Sequence, residues 1–507
     1  MNFRFRSLLG ATSAIFPFCS AAAQPPPPSV VPSPTPIPIP APSETPDFPG
    51  VVWAPAAQGN FRPADRPTSR AIDRVIIHDI EGSAIGAVNW FQNPQSRVSS
   101  HYVISGDTGT VWQSVKEHDV AYHAGNGDIN ARSVGIEHEG YAYRPGFYDT
   151  TLYEASARLV RQITDRYQIP RDRTHIIGHF EVPDAAHPGQ FGGGSHHTDP
   201  GPYWDWDSYM TLVRNDARFE AVTTVPTVLR PGETATVTLS AANMGDDPWA
   251  IKAASAASQM AASPNDADRI ALTERVPVYL GVWPQPVLRN APTPLQGAGW
   301  TSPRLVGLPT GADDIAPIGT AQFSFTLQAP PTADAASVSQ QFRLLRVPPA
   351  PRPMVGFGPT LPITVAIKPW DIVTAPSASG ADWHQNGAVF WSKVTATANP
   401  AATPAQWTAA LPIGGSWDVY VRWPGARGRT SKAIYEVTAT DGAHSVLVDQ
   451  RTKTWGWHRL GRYAFGNAGT KTPPAVIGLT GQSAGTLVAD SVRFVGPFSA
   501  DTASATK

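Results

Sequence analysis

The apolar pattern of this chain changes character once. From about residue 51 to 217, short apolar strands alternate with helical segments; from Phe219 onward the pattern is strands and turns. The first block implies a mixed sheet covered by helices, and the remainder implies β-sandwiches. At 507 residues the chain is too long for one ordinary core. The expectation is a multidomain protein: an α/β domain at 51–218, an immunoglobulin-like β-sandwich at 219–367, a second all-β sandwich at 368–497 and a tail at 498–507.

Within the first block, Arg74 to Ile80 is apolar on both faces, as in the interior of a covered sheet. Ser83 to Gln92 reads as a helix with Ser83 as its N-cap. His101–Ser105 and Thr110–Val115 flank Gly106-Asp-Thr-Gly109, a hairpin signal. Ser133 to His138 is another strand. Thr151 to Gln168 is the clearest helix: Leu152, Ala155, Leu159, Ile163 and Tyr167 keep helical spacing, Thr151 and Glu154 form a capping box, and Pro170 stops it. Thr174 to Gly178 is a short strand that delivers His179 to its end, and Trp206, Tyr209, Met210 and Val213 mark a closing helix.

The N-terminus reads as a signal peptide over 1–23. Arg4 and Arg6 precede a mainly apolar stretch, and Ala21-Ala-Ala23 offers a cleavage site. The stretch is too short to span a membrane. Export to the periplasm or the medium is the expectation. The Pro-rich segment 24–50 then reads as an extended linker. Cys19 is the one cysteine and sits in the signal, so any metal on the mature chain must be held by histidine and carboxylate. A net charge of -1 gives no electrostatic case for nucleic acid. A monomer is expected.

Ten of the 13 histidines fall between Ile77 and Thr198. His78 ends an apolar strand, His179 ends another, and His197-Thr-Asp-Pro-Gly-Pro202 follows. His78, His179 and Asp199 supply two imidazoles and a carboxylate, the ligand set of a hydrolytic zinc site that keeps one position open for water. A histidine-rich region without metal is the alternative. Glu137 is the best proton carrier, since it faces away from the Val134/Ile136 face of its strand; Glu139 shares its parity and is the rival. His197, two residues before Asp199, is placed to approach the substrate oxygen without ligating. His101, His123 and Asn126 are candidate substrate contacts. His101, His123 and His196 read as supporting or exposed histidines rather than ligands, and His118, His138, His175 and His187 as surface or packing residues.

Six ordered motifs carry a resemblance: Val75-Ile-Ile-His78, His101-Tyr-Val-Ile104, Ala121-Tyr-His-Ala-Gly125, Ser133-Val-Gly-Ile-Glu-His-Glu-Gly140, Ile177-Gly-His179 and Thr198-Asp-Pro-Gly-Pro202. In this order they resemble type 2 N-acetylmuramoyl-L-alanine amidases, whose fold is similar to that of phage amidase-type lysozymes and peptidoglycan recognition proteins. The resemblance implies zinc-dependent hydrolysis of the amide between N-acetylmuramic acid and L-alanine in peptidoglycan. It implies His78, His179 and Asp199 as ligands and Glu137 as acid/base. His197 falls where many members place a lysine that polarises the scissile carbonyl. The chain departs from the pattern in an extended loop from Asp184 to His196, which leaves His187 or His196 as alternative third ligands.

From Trp370 the sequence resembles the golvesin C-terminal-like domain, through Gly415-Ser-Trp-Asp-Val-Tyr-Val-Arg-Trp-Pro424, Ala433-Ile-Tyr-Glu-Val437 and Val488-Ala-Asp-Ser-Val-Arg-Phe494. That resemblance implies an accessory module with a glycan or cell-surface contact. Its tryptophans read as core rather than as sugar platforms.

Overall fold

The computed structural model describes residues 45–184, 197–252, 276–284, 293–311, 313–377, 382–394, 404–452, 456–467 and 474–500. The signal peptide, most of the linker and the loop histidines His187 and His196 lie outside the described residues. No described helix is long and apolar enough to cross a membrane.

The first block forms eight strands and four helices. In chain order the strands are β1 (Val52–Trp53), β2 (Phe61–Arg62), β3 (Arg74–Asp79), β4 (Tyr102–Ile104), β5 (Val111–Gln113), β6 (Val120–Ala121), β7 (Ser133–His138) and β8 (Ile176–Gly178). The helices are α1 (Ala84–Gln92), α2 (Gly127–Arg132), α3 (Thr150–Tyr167) and α4 (Trp206–Arg214). Six strands make one mixed sheet in the order β1-β5-β4-β7-β3-β8, with β4, β7, β3 and β8 mutually parallel.

Alternation along each strand divides the sheet into two faces. Val75, Ile77, Tyr102, Ile104, Val134, Ile136 and Ile176 pack under Leu152, Ala155, Leu159 and Ile163 of α3 and Tyr209 and Val213 of α4. On the other face, α1 covers Val103 through Ala87, Val88 and Phe91, while Ile129 of α2 covers Ile76 and Ile177. Both faces are therefore dry, which explains the unbroken apolar run at 75–77.

The structure shifts some boundaries. Helix α3 is capped by Asp149, whose carboxylate accepts from Leu152 N–H, and it starts at Thr150. The expected capping box of Thr151 and Glu154 is not used; Glu154 instead pairs with Arg343 of the following sandwich. Phe48 is buried under the Arg166 guanidinium, and Asp47 accepts from Glu117 N–H at 2.9 Å. Residues 46–50 thus belong to the α/β domain rather than to a linker, because an aromatic side chain and a carboxylate pin them there. Helix α2 has no counterpart in the sequence pattern; it is one short turn and a half without periodicity.

The second block is a sandwich of a five-stranded and a three-stranded sheet. Its core merges with that of α3 and α4 through Ala217, Trp249 and Phe357. Arg346 crosses the seam, donating to Asn215 Oδ1 at 2.8 Å and to Pro248 O at 2.9 Å. The third block has its own core, in which Trp407, Trp417 and Trp423 are buried. Its last strand, Val492–Phe498, runs into the expected tail, and Ser499 Oγ donates to Asp334 at 2.6 Å.

Candidate functional site

The site lies at the carboxyl ends of β7, β3 and β8, where open α/β sheets present ligand-binding crevices. His78 is the penultimate residue of β3, and Glu137 is the penultimate residue of β7 and its in-register neighbour. Both share the face left open between α1 and α2. His179 begins a single 3-10 turn, His179–Glu181, directly after β8. Phe180 N–H donates to Asp199 O at 3.0 Å, which ties the segment bearing Asp199 to that turn. Gly201 adopts φ +82, and a Cβ there would meet Ala142 O at 2.3 Å. A side chain at 201 would push the segment away from its seat, so glycine is required.

Three ligating atoms converge. His78 Nδ1 lies 3.2 Å from Asp199 Oδ2, and His179 Nδ1 lies 3.2 Å from the same oxygen and 3.1 Å from Oδ1. All lie within 4.8 Å of one another, and this is the metal-capable trio among the described residues. Burial lowers the His78 imidazole to about 4, with His179 adding to the shift and Asp199 opposing it, so the ring is neutral at pH 7. Burial also opposes ionisation of Asp199, but the flanking His179 and His78 prevail and hold its carboxyl well below the ordinary carboxylate range. Two neutral imidazoles around an anionic carboxylate are the donor set of a catalytic zinc site. The donor chemistry therefore fits the metal expected from sequence.

Glu137 is half-buried, and its Oε2 is buried without a hydrogen-bond partner among the described residues. Burial raises its carboxyl well above the usual range, and the nearby Asp199 and Asp79 raise it further. A carboxyl held near its proton-bound form suits proton transfer near neutral pH. Glu139, the rival, is committed elsewhere: its Oε2 accepts from Gly106 N–H at 2.8 Å and Ser105 Oγ at 3.0 Å. The His197 ring stacks on His179 with centroids 3.7 Å apart.

The three candidate substrate contacts sit behind or beside this centre. His101 is fully buried; its Nδ1 accepts from Gly135 N–H at 3.0 Å and its Nε2 lies 2.8 Å from Arg66 Nη2. Asn126 caps α2 through Oδ1 and donates from Nδ2 to Pro183 O at 2.9 Å, so both ends of its amide are engaged. His123 faces the back of His78 at 2.9 Å. Ser133, on the strand that carries Glu137, lies 3.1 Å from His123 and carries no sequence signal of its own. His138, read as a packing residue, is buried between His78 O and Ser156 Oγ.

Comparison with known proteins defines the class. The N-acetylmuramoyl-L-alanine amidase family model matches residues 68–202, and the golvesin C-terminal domain model matches residues 377–496. N-acetylmuramoyl-L-alanine amidase A of Achromobacter lyticus is 33% identical over 183 residues, which span 33% of this chain and 95% of that protein. The 1,6-anhydro-N-acetylmuramyl-L-alanine amidase AmpD of Haemophilus influenzae is 31% identical over 127 residues, 24% of this chain and 61% of that protein. Among solved structures, PlyL shares 18% sequence identity by comparison of structures at a TM-score of 0.22, and the catalytic domain of XlyA shares 17% at a TM-score of 0.24, covering 32% of this chain and 98% of that one. The chain is thus an amide hydrolase of the cell-wall type. It belongs to the N-acetylmuramoyl-L-alanine amidase family.

Proposed function

We propose that this chain is an exported, zinc-dependent amidase that cuts between N-acetylmuramic acid and L-alanine of peptidoglycan. The observation that carries this reading is the meeting of His78 Nδ1, His179 Nδ1 and the Asp199 carboxylate beside the partnerless Oε2 of Glu137. His78, His179 and Asp199 hold the metal. Zinc bound there supplies Lewis acidity, polarising a carbonyl and acidifying water toward neutral pH.

The chain's own residues do the remaining work. Glu137 takes a proton from the attacking water and returns it to the departing L-alanine amine; its raised carboxyl makes the return favourable. His197, held against His179, donates a hydrogen bond to the oxygen on which negative charge develops. The dry packing of α1 and α2 around the open end of the sheet keeps these groups in a low dielectric, where such contacts are strongest. The two C-terminal sandwiches hold the enzyme to its polymer.

Mass analysis of products from whole sacculi tests the reading. Release of free stem peptides, lost with chelator and regained with zinc, supports it; glycan fragments with the lactyl amide intact would refute it.

A further inference from the structure

We infer that Ser133 and His123 form a hydrogen-bonded relay that keeps the proton of His78 on Nε2, leaving the lone pair of Nδ1 aimed at the Asp199 pocket. This inference rests on the metal-site reading above.

The direction of the relay is set by a carbonyl. Ile129 O can only accept, and Ser133 Oγ lies 2.6 Å from it, so the single hydroxyl hydrogen of Ser133 is spent there. Ser133 Oγ then faces His123 Nε2, 3.1 Å away, with a lone pair. His123 Nε2 must carry the hydrogen. A neutral imidazole has one N–H, so His123 Nδ1 is an acceptor, and it lies 2.9 Å from His78 Nε2. His78 Nε2 therefore donates, and His78 Nδ1 is left with a lone pair 3.2 Å from Asp199 Oδ2.

The relay is built, not incidental. The His123 ring lies on the backbone of Gly135, where a Cβ would come within 2.5 Å of its Cγ. His123 N–H and Ala124 N–H both donate to Asn130 Oδ1, at 3.2 and 2.8 Å, which fixes the segment. Rings 78 and 123 meet edge-on with centroids 5.1 Å apart.

The two sides of His78 make opposite demands. Asp199 alone would draw the hydrogen to Nδ1; the relay holds it on Nε2. With the relay in force, a lone pair and a carboxylate face each other across the pocket, an arrangement satisfied by a cation. His123 and Ser133 are thus positioning residues: they select the ligating tautomer of His78 before metal arrives. Outer partners of this kind are worth about tenfold to a hundredfold in metal affinity.

The experiment uses the full chain with 15N-labelled histidine. In metal-free protein, the expected result is a slowly exchanging His123 Nε2–H resonance that disappears in Ser133→Ala. In zinc-loaded protein, His78 is expected as the Nε2–H form. Chelator competition should show zinc affinity about tenfold to a hundredfold lower in Ser133→Ala and His123→Phe. His123→Gln, whose amide oxygen accepts from His78 and whose amide nitrogen donates to Ser133, should recover most of that loss. An Nδ1–H His78 in the loaded protein, or unchanged affinity in both disruptive variants, overturns the relay. Wild-type protein that binds no zinc but keeps the protected His123 resonance overturns the metal reading alone.

Discussion

His78 and Glu137 stand side by side in register on adjacent parallel strands, one at the metal-capable trio and the other with a buried, partnerless carboxyl oxygen. Strand pairing fixes their separation independently of side-chain rotamers. A base held at fixed distance from the ligand cluster is what proton transfer to and from water at that cluster requires.

Glu137→Gln keeps the size and burial of the side chain but cannot carry a proton. Turnover on peptidoglycan is expected to fall by about a hundredfold to ten-thousandfold. Zinc content measured on the same preparation should stay at the wild-type level. Wild-type turnover in this variant would remove Glu137 from the chemistry.

Asp199→Asn removes the anion between His78 and His179. The variant should bind zinc far more weakly and show little activity at stoichiometric metal. In the wild type, thermal unfolding of the α/β domain should rise with zinc; free metal at a hundred times Kd corresponds to about 2.7 kcal/mol. Undiminished zinc affinity in Asp199→Asn would move the third ligand into the 184–196 loop.

His197→Ala is expected to lower kcat by about a hundredfold or more, the usual loss when a donor to a developing oxyanion is removed. His197→Lys supplies a donor of fixed charge and should retain much more activity. Comparing kcat of the two variants against wild type decides whether donation, rather than stacking on His179, is what this residue provides.

Acid should destabilise the α/β domain. Burial lowers His138 to about 3 and holds His101 well below its ordinary value. Both are neutral when folded and take up protons on unfolding below about pH 6.5. Stability is therefore full above that pH and lost as pH falls toward 3, with a slope of up to about 1.4 kcal/mol per pH unit for each histidine. Denaturation midpoints of metal-free protein between about pH 7 and pH 4.5 read this slope, and His138→Gln should flatten it.

Arg346 is buried where the first sandwich meets α4 and donates to Asn215, Pro248 and Val276. Arg346→Ala leaves buried acceptors unpaired and should cost about 1–3 kcal/mol. A shift in the unfolding of the α/β domain, and not of the sandwich alone, would show that the two share one cooperative core.

Part of this is legible in the residues alone. The 3.6-residue spacing of Leu152, Ala155, Leu159 and Ile163 marks α3, because one face has to bury. The apolar run before His78 marks β3. The start of α3 is less legible: Asp149 and Thr151 are both good caps, and only backbone geometry chooses Asp149. Phe48 reads as part of a linker because a single aromatic in a Pro-rich stretch carries no periodicity.

The sequence by itself determined the residue types of the site and the strands that deliver them: histidines and carboxylates at the ends of apolar runs, where a covered sheet must stop. Only the tertiary structure decided which of two same-parity carboxylates is available. Glu139 is consumed by Gly106 and Ser105, while Glu137 is left without a partner among the described residues. It also turned Asn126 from a candidate substrate contact into a helix cap, and His123 into the group behind His78. The reason is physical: hydrogen-bond partners come from segments distant in sequence, and a one-dimensional pattern records which face a side chain takes but not what waits there.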